Sequence, residues 1–403
     1  NRKQHTGYRG AVAFILSLWL IIGSLGGVGA VAAEGAGDSN SYDNGLVSEL
    51  LASPAALIDS RIREPFTFSG LASYYQAVSY YRVGDGVVEQ ITDSEKIVLQ
   101  EQHWLAVVGR FKVLLLKAPK MPLQIVAEQL QFGPSADGSL GTIEARVVLK
   151  NELAALESIL GPDHNLPFDQ LRYAHLWSPL AWLTKQIETA LVAIQIRLVG
   201  SWGWAIVLLA IFIKLLLLPV SLKTVSYQRR VSQVQAQLAP ELARIKAEYD
   251  GEEAHNRLMA AHKALGVSPF YALKPILGSF VQIPILIAVF NALAEMPQLS
   301  NQSFLWISNL AYPDAIAPLG RAVPLFGSTF NLLPVLMTLV ALFATMVFSN
   351  RHASVDEVRR QKRNLYLMAV LFFLLFYPFP AAMVLYWMSA NAVHTVQQHL
   401  APL

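Results

Sequence analysis

Residues 203–219 read Gly203-Trp204-Ala205-Ile206-Val207-Leu208-Leu209-Ala210-Ile211-Phe212-Ile213-Lys214-Leu215-Leu216-Leu217-Leu218-Pro219. One cation stands in an otherwise unbroken apolar run. A lysine at the centre of a membrane helix costs at least roughly 2.5–3.5 kcal/mol on insertion scales unless something relieves it. Lys223, nine positions on, marks the next polar boundary. On an unbroken helix Lys214 then lies about 13 Å deeper, and a lysine stem of roughly 6 Å does not span that distance. Relief by a carboxylate fares no better, because none of the five apolar segments contains Asp or Glu and Glu295 only borders one. A water-filled cavity open to one side fits better than snorkelling or a buried ion pair.

The composition says where such a helix belongs. Of 403 residues, 54% are hydrophobic and 15% charged, against about 25% charged in an ordinary soluble domain. Mean hydropathy is +0.40. Such a chain hides apolar surface in lipid. A net charge of +3 gives no argument for nucleic acid. The absence of cysteine excludes disulfides, thiolate metal sites and cysteine nucleophiles.

Outward from Lys214, long apolar segments run over about 203–222, 275–294, 329–349, 365–378 and 380–398, the last two short and split by Tyr377-Pro378-Phe379-Pro380. Prolines there end one helix and open the next. Between the first and second segments lie Lys223, Arg229, Arg230, Arg244, Lys246, Arg257, Lys263 and Lys274; between the third and fourth lie Arg351, Arg359, Arg360, Lys362 and Arg363. The intervening loop, 295–328, holds only Arg321. The positive-inside rule puts the two basic loops and the C-terminus in the cytoplasm and 34–200 outside. The first basic loop is helical. Val231, Val234, Leu238, Leu242, Ile245 and Tyr249 form one stripe, Asp250-Gly251 turns, and Glu252 to Leu265 forms a second arm. Together they make a cytoplasmic hairpin over about 223–266, with Pro240 expected to kink its first arm.

Upstream, residues 1–33 carry Arg2, Lys3 and Arg9 before an apolar run and a small-residue tail. They read as either a cleaved signal peptide or a first transmembrane helix. Residues 34–170 read as a small β-rich exported domain. Ser73 to Val83, Lys96 to Leu99, Trp104 to Leu116 and Thr142 to Leu149 are the strand candidates, separated by turn formers. Within 171–200, Leu176, Leu180, Leu183, Ile187, Leu191 and Ile194 make an apolar stripe beside Trp177 and Trp182, with Lys185 and Glu188 off it. That pattern suits a helix lying along a membrane surface.

Several motifs resemble the YidC/Oxa/Alb insertase family. Gly203-Trp204 leading to a mid-membrane cation and Leu218-Pro219 is similar to the family's first core helix. Gln237-Leu238-Ala239-Pro240-Glu241-Leu242 resembles its cytoplasmic hairpin. Gly266-Val267-Ser268-Pro269 with Gln282-Ile283-Pro284-Ile285 resembles the entry to its next helix. Pro380-Ala381-Ala382-Met383-Val384-Leu385-Tyr386-Trp387 with Asn391 and Gln397-Gln398 resembles the last. The likeness runs from about Tyr173 to the C-terminus and, more weakly, through Gln102-His103-Trp104-Leu105 to a shortened periplasmic β-sandwich. It implies an α-helical polytopic protein of the bacterial inner membrane. Residues 201–403 would form a five-helix core around a hydrophilic groove open to cytoplasm and lipid. The implied partners are nascent membrane proteins and the bilayer, with a Sec-type translocon and the ribosome as further candidates. No cofactor, metal or catalytic residue is implied. The family position usually holds Arg where this chain has Lys214, which keeps the charge and loses the guanidinium fork. The stretch between Pro269 and Gln282 is also longer than usual and includes Lys274.

Groove candidates are Lys214, Gln282, Asn291, Asn331, Thr338, Ser389 and Asn391, each a polar residue within an apolar segment. Each taken alone equally suits helix-packing glue. A solute or ion transporter is the competing class, though no internal repeat appears. An intramembrane enzyme fits less well, since Ser389 and His394 lie five apart on one helix and no HExxH motif occurs. A tethered binding module would lose all activity without 34–170, whereas an insertase should keep much of it.

Overall fold

The computed structural model describes residues 44–92, 96–118, 122–126, 129–133, 143–160, 165–264, 276–324, 326–347 and 355–400. The expected targeting segment 1–33, the Gly266-Val267-Ser268-Pro269 motif, Lys274 and Arg351 lie outside the described residues.

The first part is strand-rich. A five-stranded antiparallel sheet has the order β2-β1-β4-β5-β8, from Val87–Ile91, Ser79–Gly84, Trp104–Val108, Lys112–Lys117 and Glu144–Leu149. A three-stranded sheet is ordered β3-β6-β7, from Lys96–Val98, Pro122–Val126 and Gln129–Phe132. Strand β4 is buried along its whole length. Leu105 and Val107 face a core shared with Ile97, Leu123 and Ile125 of the smaller sheet and with Leu46 and Leu50 of helix α1 (Asn44–Ala52). Trp104, Ala106 and Val108 face Leu153 of helix α2 (Leu153–Leu160), Phe168 and Leu171. Burial on both faces explains why this stretch reads as continuous apolar sequence rather than alternation.

Two expectations change here. The run from Trp104 to Leu116 is two strands turning at Gly109-Arg110-Phe111. The run from Ser73 is strand only from Ser79, and Gly70–Gln76 is a 3₁₀ helix. Strands β2, β6 and β7 escaped the sequence reading because Glu89, Gln90, Gln124, Gln129 and Gln131 dilute their apolar pattern.

The second part is helical. Helix α3 (Ser178–Ile194) buries Leu180, Ile187 and Leu191 and leaves Trp177 and Trp182 exposed. Contrary to expectation Glu188 is also buried, for a reason given below. Helix α4 (Trp202–Leu216) stops at Leu217, and α5 (Leu218–Glu248) starts at once with Pro219 in its first turn. Helix α5 continues through Pro240 and turns at Gly251 into α6 (Gly251–Ala264). Leu238, Ile245 and Ala261 form a small core for this hairpin, separate from the rest. Helices α7 (Ile276–Glu295), α8 (Leu332–Val347), α9 (Val355–Phe376) and α10 (Ala381–Leu400) follow. Helix α9 starts ten residues before the expected 365, so Arg359, Arg360, Lys362 and Arg363 sit on its first turns rather than in a loop.

The loop after α7 holds an unforeseen hairpin, β9 (Ala317–Val323) with β10 (Gly327–Phe330). Asp314 in this loop accepts from the N–H groups of Leu332 and Leu333 at 2.9 and 2.8 Å, satisfying two orphan donors of α8. Helix α10 packs along α4 and α8, and α3 packs on α7. At the start of α4, Gly203 lies where a β-carbon would strike the Phe304 ring, and Trp204 meets that ring edge-on at 5.3 Å. Among the described residues no single helix is long and apolar enough to cross a membrane; Ser178–Val199 and Trp202–Leu216 pass that test together, bent by 115°.

Candidate functional site

Lys214 occupies the last turn of α4. The depth argument assumed an unbroken helix through Lys223, and the break at Leu217 removes that premise. The carbonyls at a helix C-terminus favour a cation by about 0.3–1 kcal/mol, less than the roughly 2.5–3.5 kcal/mol that lipid burial costs. Lys214 is half-buried, and among the described residues no carboxylate pairs with it. It lies near His394 on α10, the helix that packs along α4. Asn391 stands one turn before His394, on the same side of that helix.

The other candidates are dispersed. Thr338 and Ser389 hydroxyls donate to carbonyls one turn back, Pro334 and Leu385, at 2.8 and 2.7 Å. Gln282 is exposed on α7. Asn291 donates to the Ile287 carbonyl at 2.8 Å, which turns its Oδ1 toward His175 Nε2 at 3.1 Å. Asn331 is 1% exposed. Its amide donates to the Tyr377 carbonyl at 2.8 Å and accepts from Ala315 N–H at 3.1 Å, joining the start of α8 to the α9–α10 turn. The structure thus brings Lys214 close to α10 and places Asn291 and Asn331 at the opposite end of the bundle.

That opposite end carries a buried polar cluster that sequence reasoning passed over. Arg110, in the β4–β5 turn, is 4% exposed. Its Nε donates to the Ala294 carbonyl at 2.7 Å and its Nη2 to the Ala311 carbonyl at 2.8 Å. Phe111, Phe68, Tyr75 and Tyr312 surround the guanidinium, with ring centroids 4.4, 4.8, 5.7 and 5.7 Å from Cζ. Burial pushes this guanidinium down to about 10, against the pull of Tyr312 and Glu64, so it stays charged at neutral pH. Glu295 ends α7, where the helix dipole opposes an anion. Lys150, just after β8, answers it at 2.6 Å with both side chains buried, and His175 approaches its other oxygen at 3.4 Å. Since His175 Nε2 faces two acceptors, Glu295 and Asn291 Oδ1, it carries the proton. Removing one partner of such a buried pair costs about 3–5 kcal/mol. Arg110, Lys150, His175 and Glu295 border a cavity of about 70 Å³ with Tyr74, Tyr75 and Tyr81.

A second polar knot explains Glu188. It pairs with Arg172 and accepts from Tyr173 Oη at 2.9 Å, while Lys185 meets Asp169 at 2.6 Å. Burial alone would raise the Asp169 carboxyl, but Lys185 and Arg172 outweigh it and hold it below the usual range. Helix α3 is thereby tied to the segment Phe168–Tyr173.

A family model described as 60Kd inner membrane protein matches residues 194–402, just over half of the chain. The chain belongs to this family. Proteins similar to the chain carry the name membrane protein insertase YidC. The one from Janthinobacterium sp. (strain Marseille) is 26% identical over 351 residues, covering 82% of this chain and 57% of the relative. That from Chlamydia trachomatis serovar D is 35% identical over 208 residues, covering 50% and 25%. That from Leptospira interrogans serogroup Icterohaemorrhagiae serovar Lai is 30% identical over 244 residues, covering 59% and 36%. The chain therefore spans about half the length of the first relative and a quarter of the chlamydial one. A solved active YidC insertase with its first transmembrane domain resolved aligns over 80% of each chain, at 15% identity and a TM-score of 0.37, too loosely to bear on the fold.

Proposed function

We propose that this chain is a membrane protein insertase that places helices of client proteins into a bacterial inner membrane. The observation that carries the reading is Lys214. It is a cation on an otherwise apolar helix, facing α10, with no carboxylate paired to it among the described residues. A charge so placed serves as a receptor for an acidic or polar client segment, which it draws part-way across before the segment meets lipid. Helices α4, α7, α8, α9 and α10 are read as the membrane core, and α5–α6 as a cytoplasmic hairpin that captures clients. Lys214, Gln282, Asn291, Asn331, Thr338, Ser389 and Asn391 remain the proposed client-contacting set, with Lys214 and Asn391 at its centre. The Sec-type translocon and the ribosome are its proposed partners. No step requires bond-making chemistry.

The test is replacement of a host's essential insertase by this chain under depletion. Matched clients should differ only in the charge of the translocated tail, with insertion normalised to the amount of chain in the membrane. Growth is expected, and Lys214→Ala should slow acidic-tailed clients about tenfold, the equivalent of about 1.4 kcal/mol in rate, while sparing neutral ones. Equal loss across both tails makes Lys214 structural and removes the receptor role.

A further inference from the structure

The strand-rich domain does more than sit beside the helices. The carbonyls of Leu310 and Tyr312 accept from the N–H groups of Ala382 and Ala381 at 3.0 and 2.9 Å, capping the first turn of α10. The residue between them, Ala311, gives its carbonyl to Arg110. The same guanidinium takes the Ala294 carbonyl in the last turn of α7. One side chain from the β4–β5 turn therefore ties the end of α7 to the loop segment that caps α10. Lys150 neutralises Glu295 one residue further on, and Tyr75 closes over the same place, its hydroxyl 3.7 Å from Met383 Sδ and its ring edge-on to Phe379 at 6.0 Å.

We infer that Arg110 and Lys150 form a latch by which the exported domain holds the outer ends of α7 and α10 together, closing the polar interior of the core to the outside. The inference deepens the insertase reading and rests on it for what lies inside. The charge arithmetic makes the latch reciprocal. With the domain docked, Glu295 is paired; with the domain lifted, a carboxylate remains at a helix C-terminus with His175 alone beside it. Whatever spreads α7 from α10 therefore weakens docking, and undocking frees α7 and α10 to separate, by the same factor. Arg110 and Lys150 act through the helix ends they hold and are positioning residues.

The chain has no cysteine, so single and paired labels can be placed directly. Spin labels at Val87→Cys on β2 and Leu305→Cys in the outer loop, both at exposed positions, report docking in proteoliposomes as a distance distribution. The full chain is expected to give one narrow distance. Lys150→Glu should shift the docked-to-undocked ratio by on the order of a hundredfold toward a longer, broader distribution. The exchange Lys150→Glu with Glu295→Lys should restore the narrow one, which a merely misfolded domain would not do. In parallel, Ser389→Cys is probed with an impermeant maleimide from outside. It should be silent in the parent, reactive with Lys150→Glu, and silent again in the exchange. Arg110→Lys, which cannot span both carbonyls, should behave like Lys150→Glu, more weakly. A narrow distance retained in Lys150→Glu, or an exchange that fails to restore it, overturns the latch. Docking that responds while Ser389→Cys stays silent overturns the closure. Both readouts are independent of insertion, so a chain that latches yet inserts no client rejects the insertase reading alone.

Discussion

At the scale of the residue, half-buried Lys214 and buried Arg110 are two cations accommodated in different ways. Arg110 has two carbonyls and four rings, and its planar fork suits that bridging role. Lys214 has a helix terminus and the neighbourhood of His394, and in the proposed groove the remaining solvation would fall to water. A cysteine replacing Lys214 should therefore react with an impermeant thiol reagent supplied from the cytoplasmic side and stay silent to the same reagent outside. Silence from both sides in the folded protein would show the position dry and leave the lysine without a client role. The two cations also differ in how readily they were read. Lys214 declares itself because every neighbour in the sequence is apolar. Arg110 follows a glycine in a turn between strands, where a solvated cation is the ordinary occupant. Its acceptors lie 184 and 201 residues away, so no local pattern marks it.

At the scale of the element, helix α3 shows where periodicity succeeds and where it stops. The leucine and isoleucine stripe gave the helix and its buried side, because burial of apolar area sets the 3.6-residue repeat. The same rule put Glu188 on the wet face, and it fails there because Arg172 and Tyr173 bring their own polar groups to meet it. The Asp169–Lys185 pair makes this attachment measurable. The Asp169 carboxyl is held below its unfolded value of 3.8. Its stabilisation is therefore complete above that value and disappears as pH falls through the lower, folded one. Asp169→Asn should cost about 1–2 kcal/mol near neutrality, seen as a lower unfolding temperature in detergent. The gap between parent and variant should stay constant down to about pH 5 and then narrow progressively in more acid solution. A gap that persists in acid would assign the effect to packing. Helix α9 marks a different limit: its first ten residues are too charged to read as membrane helix yet continue the helix without a break.

For the whole molecule, the change from a strand-rich part to a helical part shows in the sequence, because strands and apolar helices draw on different patterns. What composition did not carry is that the parts share a core: Phe111 of the β4–β5 turn packs in the same apolar cluster as α4, α7 and α10. The pairing of Lys150 with Glu295 spans 145 residues, and that interval is also a time. At roughly 5–20 residues per second of synthesis, Lys150 emerges roughly 10–30 s before Glu295, whereas a domain of this topology folds within milliseconds to seconds. In the topology proposed above, the acid end of α7 would arrive at a far side where its counter-ion already stands in place, so its crossing would be rectified: arrival captured and return penalised. Nascent chains arrested just before Glu295 should already shield the strand-rich domain from external protease. With Lys150→Glu, chains extended past Glu295 should show α7 slipping back. Such chains remaining fully across would deny the ratchet, and would leave the protein to commit its own helix by lipid partition alone.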